Sequence, residues 1–202
     1  EVGGWDRYNP ALISAGGGVL PRSAKLIELP DAARALLGLA DNAVDPDTLL
    51  TAILKAPVDL LWFGGIGTYV KAPQESHAQV GDPANDAIRV DAGDLRARVI
   101  GEGANLGVTQ AGRIAFALEG GRINTDFIDN SAGVDCSDNE VNIKIALAAA
   151  QAAGELSEER RVAVLRDMTD AVATLVLEDN RLQALALSIA AQGGVQAVGA
   201  YA

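Results

Sequence analysis

Residues 98–137, RVIGEGANLGVTQAGRIAFALEGGRINTDFIDNSAGVDCS, decide the fold. Apolar runs that begin at Val99 and Ile123 each stop at a segment of small and amide residues, and a helix-like stretch separates them. This order of strand, turn, helix and strand is typical of a parallel sheet with crossover helices. Because ligands of such sheets lie beyond the carboxyl ends of the strands, the two ends predict a dinucleotide-sized crevice.

A third strand is predicted upstream of this stretch. The run from Val58 to Phe63 is short and nearly all apolar, as expected for a strand covered on both faces. It ends at Gly64-Gly65-Ile66-Gly67, a glycine segment like the one after Val99. We expect the polar segment 71–85 to cross over the crevice, with a short strand at 88–90. The sequence therefore predicts three strands that each stop at a segment of small or amide residues.

Helices are predicted where apolar residues repeat at three- and four-residue spacing. Asp45 and Pro46 mark the start of one helix, Thr109 caps another, and from about Asp138 the pattern is helical and rich in alanine. The last strand is expected to run from Arg122 to Ile128 and to place Asn130 just beyond its carboxyl end.

The predicted fold class is α/β, a Rossmann-like partial parallel sheet with a helical C-terminal subdomain. Residues 1–138 form the C-terminal part of a Rossmann-like nucleotide-binding domain with a loop-rich N-terminal insertion, and residues 139–202 form a helical tail. No Gly-x-Gly-x-x-Gly unit follows an early strand, so the first half of the sheet is expected to be missing.

Composition limits the partners. The formal net charge of −11 and the pI near 4.4 argue against binding to nucleic acid or to an anionic membrane surface. No apolar run approaches the roughly 20 residues needed to span a bilayer. The single cysteine, Cys136, excludes an internal disulfide, and with the single histidine, His77, it cannot form a zinc cluster. We expect a cytoplasmic protein with no metal.

Four segments carry a family resemblance. Residues 11–25 (ALISAGGGVLPRSAK), 59–72 (DLLWFGGIGTYVKA), 75–90 (ESHAQVGDPANDAIRV) and 99–145, which begins VIGEGANLGVTQ, resemble the large bacterial NAD-specific glutamate dehydrogenases. The resemblance implies NAD as cofactor and the oxidative deamination of L-glutamate to 2-oxoglutarate and ammonia, a step of amino acid catabolism. Because that family's polypeptides are several times longer, it also implies an excised part of a homo-oligomeric enzyme, inactive alone.

The resemblance also implies roles for individual residues. GEGAN puts Asn105 at the nicotinamide ribose, and NSAGVDCS puts Asn130 on the nicotinamide amide, with Ser131 and Ala132 departing from the family's usual Ala and Gly. The family's catalytic lysines and aspartate belong to an upstream domain, so no catalytic residue is assigned. With the glycine strand ends, the predicted cofactor-binding residues are Gly64, Gly65, Gly101, Gly103, Asn105 and Asn130, and the predicted substrate-binding residues are Val134 and Ser137.

Several of these residues have simpler interpretations. Asn130 could cap a helix, and Ser137 could open a capping box with Glu140 if the helix begins at Asp138. For Glu102 a turn or ion-pair role is favoured over ribose binding. His77 is expected to be solvated, and Cys136 to be a small packing residue. The rival function is a non-catalytic nucleotide-binding or oligomerisation module.

Overall fold

The computed structural model describes residues 4–201, apart from the side chain of Asp6. The chain forms two compact units, Glu1–Thr125 and Asp126–Ala202. The predicted division between 1–138 and 139–202 stays a prediction, and the outermost residues of both predicted domains, 1–3 and 202, lie outside the described residues.

The first unit contains short strands and helices that alternate along the chain. The strands are β1 (Ile27–Glu28), β2 (Ala43–Val44), β3 (Leu60–Phe63), β4 (Val70–Lys71), β5 (Val90–Asp91), β6 (Val99–Glu102) and β7 (Arg122–Ile123). The helices are α1 (Asp31–Leu37), α2 (Pro46–Leu54), α3 (His77–Val80) and α4 (Gln110–Leu118). Short 3₁₀ turns lie at Trp5–Arg7, Pro10–Leu12, Pro83–Asn85 and Ala92–Asp94.

The main sheet is parallel, in the order β3-β6-β7. The register pairs Leu60 with Val99 and Phe63 with Glu102. Phe63 and Ile100 are buried in one core cluster with residues of β4, β5 and α4, whereas Leu60 and Trp62 are exposed. The parallel strands predicted near Val58, Val99 and Ile123 are therefore confirmed, and the α/β class with them.

Side-chain caps explain two helix starts. Asp45 accepts hydrogen bonds from the amides of Asp47 and Thr48, both at 3.0 Å, so α2 begins at Pro46. Thr109 Oγ1 accepts from the amide of Gly112 at 2.9 Å at the start of α4. Both predicted caps are confirmed.

The strand predicted from Arg122 to Ile128 is wrong beyond Ile123. The chain leaves β7 there and forms the helix α5 (Asp126–Asp129). The Asn-Thr-Asp sequence before Phe127 favours a turn, and Asp126 Oδ1 accepts from the amide of Phe127 at 3.1 Å. An aspartate in the first turn also suits the positive end of the helix dipole. Asn130 is therefore presented by the end of a helix and not by the end of a strand.

The second unit is helical, which confirms the predicted C-terminal subdomain. It comprises α5, α6 (Ser131–Ala152), α7 (Glu158–Gln192), a 3₁₀ turn at Val195–Ala197 and α8 (Val198–Tyr201). Ser157 Oγ accepts from the amide of Arg160 at 3.2 Å and caps α7. No helix in the described part of the chain is both long and apolar enough to cross a membrane.

Candidate functional site

The carboxyl ends of β3 and β6 lie side by side. The amide of Gly103 donates to the carbonyl oxygen of Phe63 at 2.8 Å, one step beyond the last strand pair. The carbonyl oxygen of Gly107 accepts from the amides of Tyr69 at 2.9 Å and Val70 at 3.2 Å. These bonds join segments 64–67 and 103–106 along one edge of the sheet. We call these two segments the glycine rim.

A buried ion pair holds the β6 side of the rim. The Glu102 side chain is 0% exposed, and its Oε2 accepts from Arg113 Nη2 at 2.7 Å and Nε at 3.0 Å. Its Oε1 accepts from the amide of Val108 at 3.1 Å. The carboxylate thus joins the end of the loop that follows it, at Val108, to Arg113 of α4. The predicted ion-pair role of Glu102 is confirmed, and its burial leaves no exposed carboxylate for a ribose.

A hydrogen-bonded clasp holds the β3 side of the rim. Arg89 Nε donates to the carbonyl oxygen of Thr68 at 2.8 Å, and Asp82 Oδ2 accepts from the Thr68 amide at 2.8 Å. That amide and the Asn85 side chain lower the pKa of Asp82. The predicted polar crossing is therefore a folded segment built around a buried arginine. His77 belongs to it, because Arg89 Nη1 and His77 Nδ1 lie 2.8 Å apart.

Two of the predicted cofactor glycines make room for a protein side chain. A Cβ on Gly101 would lie 2.5 Å from Trp62 Cε3, and a Cβ on Gly103 would lie 2.6 Å from Trp62 Cζ2. The indole therefore lies on the β6 backbone. A Cβ on Gly65 would meet no atom within 4 Å, and one on Gly64 would only touch Trp62 at 3.9 Å. The open part of the rim is at Gly64 and Gly65.

The other side of the rim carries an unusual backbone. Leu106 has φ 65°, in the left-handed region, and its side chain is 62% exposed. A non-glycine residue costs about 1–2 kcal/mol in that conformation. Asn105 precedes it and is exposed. Strained backbone of this kind clusters at ligand sites, so the turn marks the rim as a candidate site.

The second unit carries the other predicted site residues on α6. Asn130 occupies its N-cap position without a side-chain capping hydrogen bond. Because α6 begins at Ser131, Ser137 lies in its second turn, and the alternative of a capping box at a helix start at Asp138 is excluded. Val134 and Ser137 are three residues apart and both exposed, on one face of the helix. Cys136 is exposed as well, so its predicted packing role is wrong.

Asn180 of α7 supports the start of α6 and was not predicted. Asn180 Nδ2 donates to the carbonyl oxygen of Ile128 at 2.9 Å and to Ser131 Oγ at 2.7 Å. Burial and the neighbouring Asp179 raise the pKa of Asp135. No local sequence signal links positions about fifty residues apart, and only the packing of α6 on α7 brings them together.

Parallel strands whose carboxyl ends meet at a glycine rim define an α/β protein, and the rim lies at the edge of the sheet where proteins of this class bind ligands. The chain belongs to the family described as bacterial NAD-glutamate dehydrogenase, catalytic domain, whose model matches residues 1–190.

Three similar proteins are each named NAD-specific glutamate dehydrogenase. The one from Mycobacterium tuberculosis is 56% identical over 186 residues, that from Pseudomonas aeruginosa 53% over 197, and that from Halomonas elongata 50% over 197. The matches cover 89%, 98% and 98% of this chain, respectively. The chain spans only 11–12% of the length of these relatives.

Proposed function

We propose that this chain is part of an NAD-dependent glutamate dehydrogenase, which oxidises L-glutamate to 2-oxoglutarate and ammonia. The chain supplies the cofactor site and part of the substrate site, within a Rossmann-like domain of a cytoplasmic homo-oligomer. The observation that carries the proposal is the glycine rim, where two parallel strands end in register and are joined by the Gly103–Phe63 hydrogen bond. Membership of the family supports the same function.

The glycine rim suits a dinucleotide. A Cβ on Gly65 would enter open space, so a ligand can approach the backbone there. Glycine lets such a loop come close to a pyrophosphate, and its amides can donate to phosphate oxygens. The Asn105 side chain supplies both a donor and an acceptor for a ribose. Gly101 and Gly103 act indirectly in this site, by seating the Trp62 ring.

Helix α6 supplies the remaining contacts in the proposal. When bound, NAD provides the hydride acceptor for the α carbon of glutamate. Asn130 holds the nicotinamide carboxamide, because its amide offers a donor and an acceptor to a group with the same pattern. Val134 and Ser137, one turn further, contact the glutamate. Hydride transfer requires that these contacts hold two reactants at contact distance, so the chain's role is positioning.

The test compares two asparagines in the full-length enzyme. Asn130→Ala removes the proposed carboxamide contact, whereas Asn142→Ala is the matched control on the exposed surface of α6. One lost hydrogen bond that leaves a buried group unpaired costs about 1–3 kcal/mol. We therefore expect kcat/KM to fall about 5- to 150-fold in the first variant and to stay unchanged in the second. Calorimetry measures NAD binding in both.

Two results would contradict the proposal. If Asn130→Ala kept the turnover of the parent enzyme, its assignment to the site would be wrong. If the full-length protein neither bound NAD nor turned over glutamate, the rival non-catalytic module would be favoured.

A further inference from the structure

The Trp62 ring has a defined orientation on the sheet. Its Cε3 and Cζ3 atoms lie against Gly101, at 2.5 and 2.6 Å from the position of a Cβ there. Its Cζ2 and Nε1 atoms lie against Gly103, at 2.6 and 2.9 Å from the equivalent position. The ring therefore extends along β6 toward the carboxyl end, and the edge that carries Nε1 lies closest to the glycine rim.

The indole N–H lies beside the open part of the rim. A Cβ on Gly64 would lie 3.9 Å from Trp62 Nε1. The indole N–H is a side-chain donor, in addition to the backbone amides that the glycines supply, and the residue is 57% exposed. Among the described residues, nothing accepts a hydrogen bond from Trp62 Nε1. Tryptophan N–H groups usually find a partner once they are covered.

We propose that Trp62 is a ligand-binding residue of the dinucleotide site, whose indole N–H donates to an oxygen of the bound dinucleotide. This inference rests on the proposed function, since it requires the ligand to lie at the glycine rim. It gives Gly101 and Gly103 a specific purpose. Any side chain at either position would displace the ring and move its N–H away from Gly64.

If protein and not the dinucleotide covered the indole, Trp62 would not be a ligand-binding residue. Leu60 and Trp62 point to the exposed face of the sheet, and parallel sheets are commonly covered on both faces. In the full-length enzyme another part of the polypeptide could cover the indole. The accessibility of Trp62 with and without NAD distinguishes this arrangement from a ligand contact.

The first experiment is oxidative footprinting of the full-length enzyme, with modification of Trp62 measured by mass spectrometry. We expect Trp62 to be oxidised in the free enzyme and to be protected several-fold by saturating NAD. Trp5, which is 80% exposed, is the internal reference and should react equally in both samples. A Trp62 that is unreactive without NAD, or equally reactive with it, overturns the inference.

The second experiment measures NAD affinity by calorimetry. Trp62→Phe keeps a flat ring on the two glycines and removes the N–H, whereas Trp5→Phe is the matched control. Loss of one hydrogen bond of about 0.5–1.5 kcal/mol raises Kd about 2- to 13-fold. An unchanged Kd in Trp62→Phe overturns the role of Trp62 and leaves the proposed function intact. Absence of NAD binding to the wild-type enzyme overturns both.

Discussion

Replacing Arg113 with methionine should destabilise the protein by about 3–5 kcal/mol, because it leaves a buried carboxylate without its cation. Two of the hydrogen bonds to Glu102 come from this guanidinium, at 2.7 and 3.0 Å. The Arg113 side chain is 8% exposed and that of Glu102 is 0% exposed, so water cannot replace the lost donors. The Val108 amide, at 3.1 Å, donates to the other carboxylate oxygen and carries no charge that could replace the guanidinium.

The same sheet offers a matched control. Arg98 forms an ion pair with Asp59 at 3.0 Å, but these side chains are 81% and 86% exposed. Because exposed pairs contribute about 0–1 kcal/mol, Arg98→Met should have little effect. Urea unfolding of the 202-residue chain, followed by circular dichroism, gives both differences in the free energy of unfolding. The reasoning is refuted if Arg113→Met and Arg98→Met cost the same.

Two further predictions concern local packing and pH. Gly121→Ala should cost about 1–3 kcal/mol, because its Cβ would lie 2.3 Å from Phe116 Cε1. Gly133→Ala, whose added Cβ meets nothing within 4 Å inside α6, should gain up to about 1 kcal/mol in the same urea unfolding assay. Burial and Asp179 raise the pKa of Asp135 in the folded protein above its usual value of 3.8. The stability that comes from protonation of this carboxyl is therefore present below pH 3.8, and it is lost as the pH rises through the pKa of the folded protein. Asp135→Asn should therefore be more stable than wild type near neutral pH, and urea titrations should show the difference vanishing near about pH 3; a pH-independent difference would contradict this.

The sequence predicts those parts of the fold that depend on local patterns. The apolar run before Gly64 defines β3, and the residues Asp45 and Thr109 define two helix starts, because strand periodicity and capping both act over a few residues. The strand predicted from Arg122 to Ile128 fails for the same local reason. The apolar pair Phe127 and Ile128 suits a strand or a helix, and the turn-forming residues before Phe127 favour the helix.

The candidate site depends on pairings that a sequence does not contain. The pattern correctly marks the ends of β3 and β6 as neighbours, but the seat of Trp62 on Gly101 follows from the register between the two strands. Without that register, Gly101 and Gly103 are interpreted as space for a cofactor. The support of Ser131 by Asn180 is likewise a product of helix packing.

Selection for stability and selection for activity should act differently on the left-handed turn at Leu106. Glycine would relieve the backbone there and would increase thermal resistance, because it adopts positive φ without steric cost. It would also remove the apolar side chain that projects from the turn. A library screened for heat tolerance alone should thus drift to glycine at this position, whereas one screened for turnover should retain a bulky residue if the side chain contacts the ligand. Comparing the two outcomes would reveal why the strain persists.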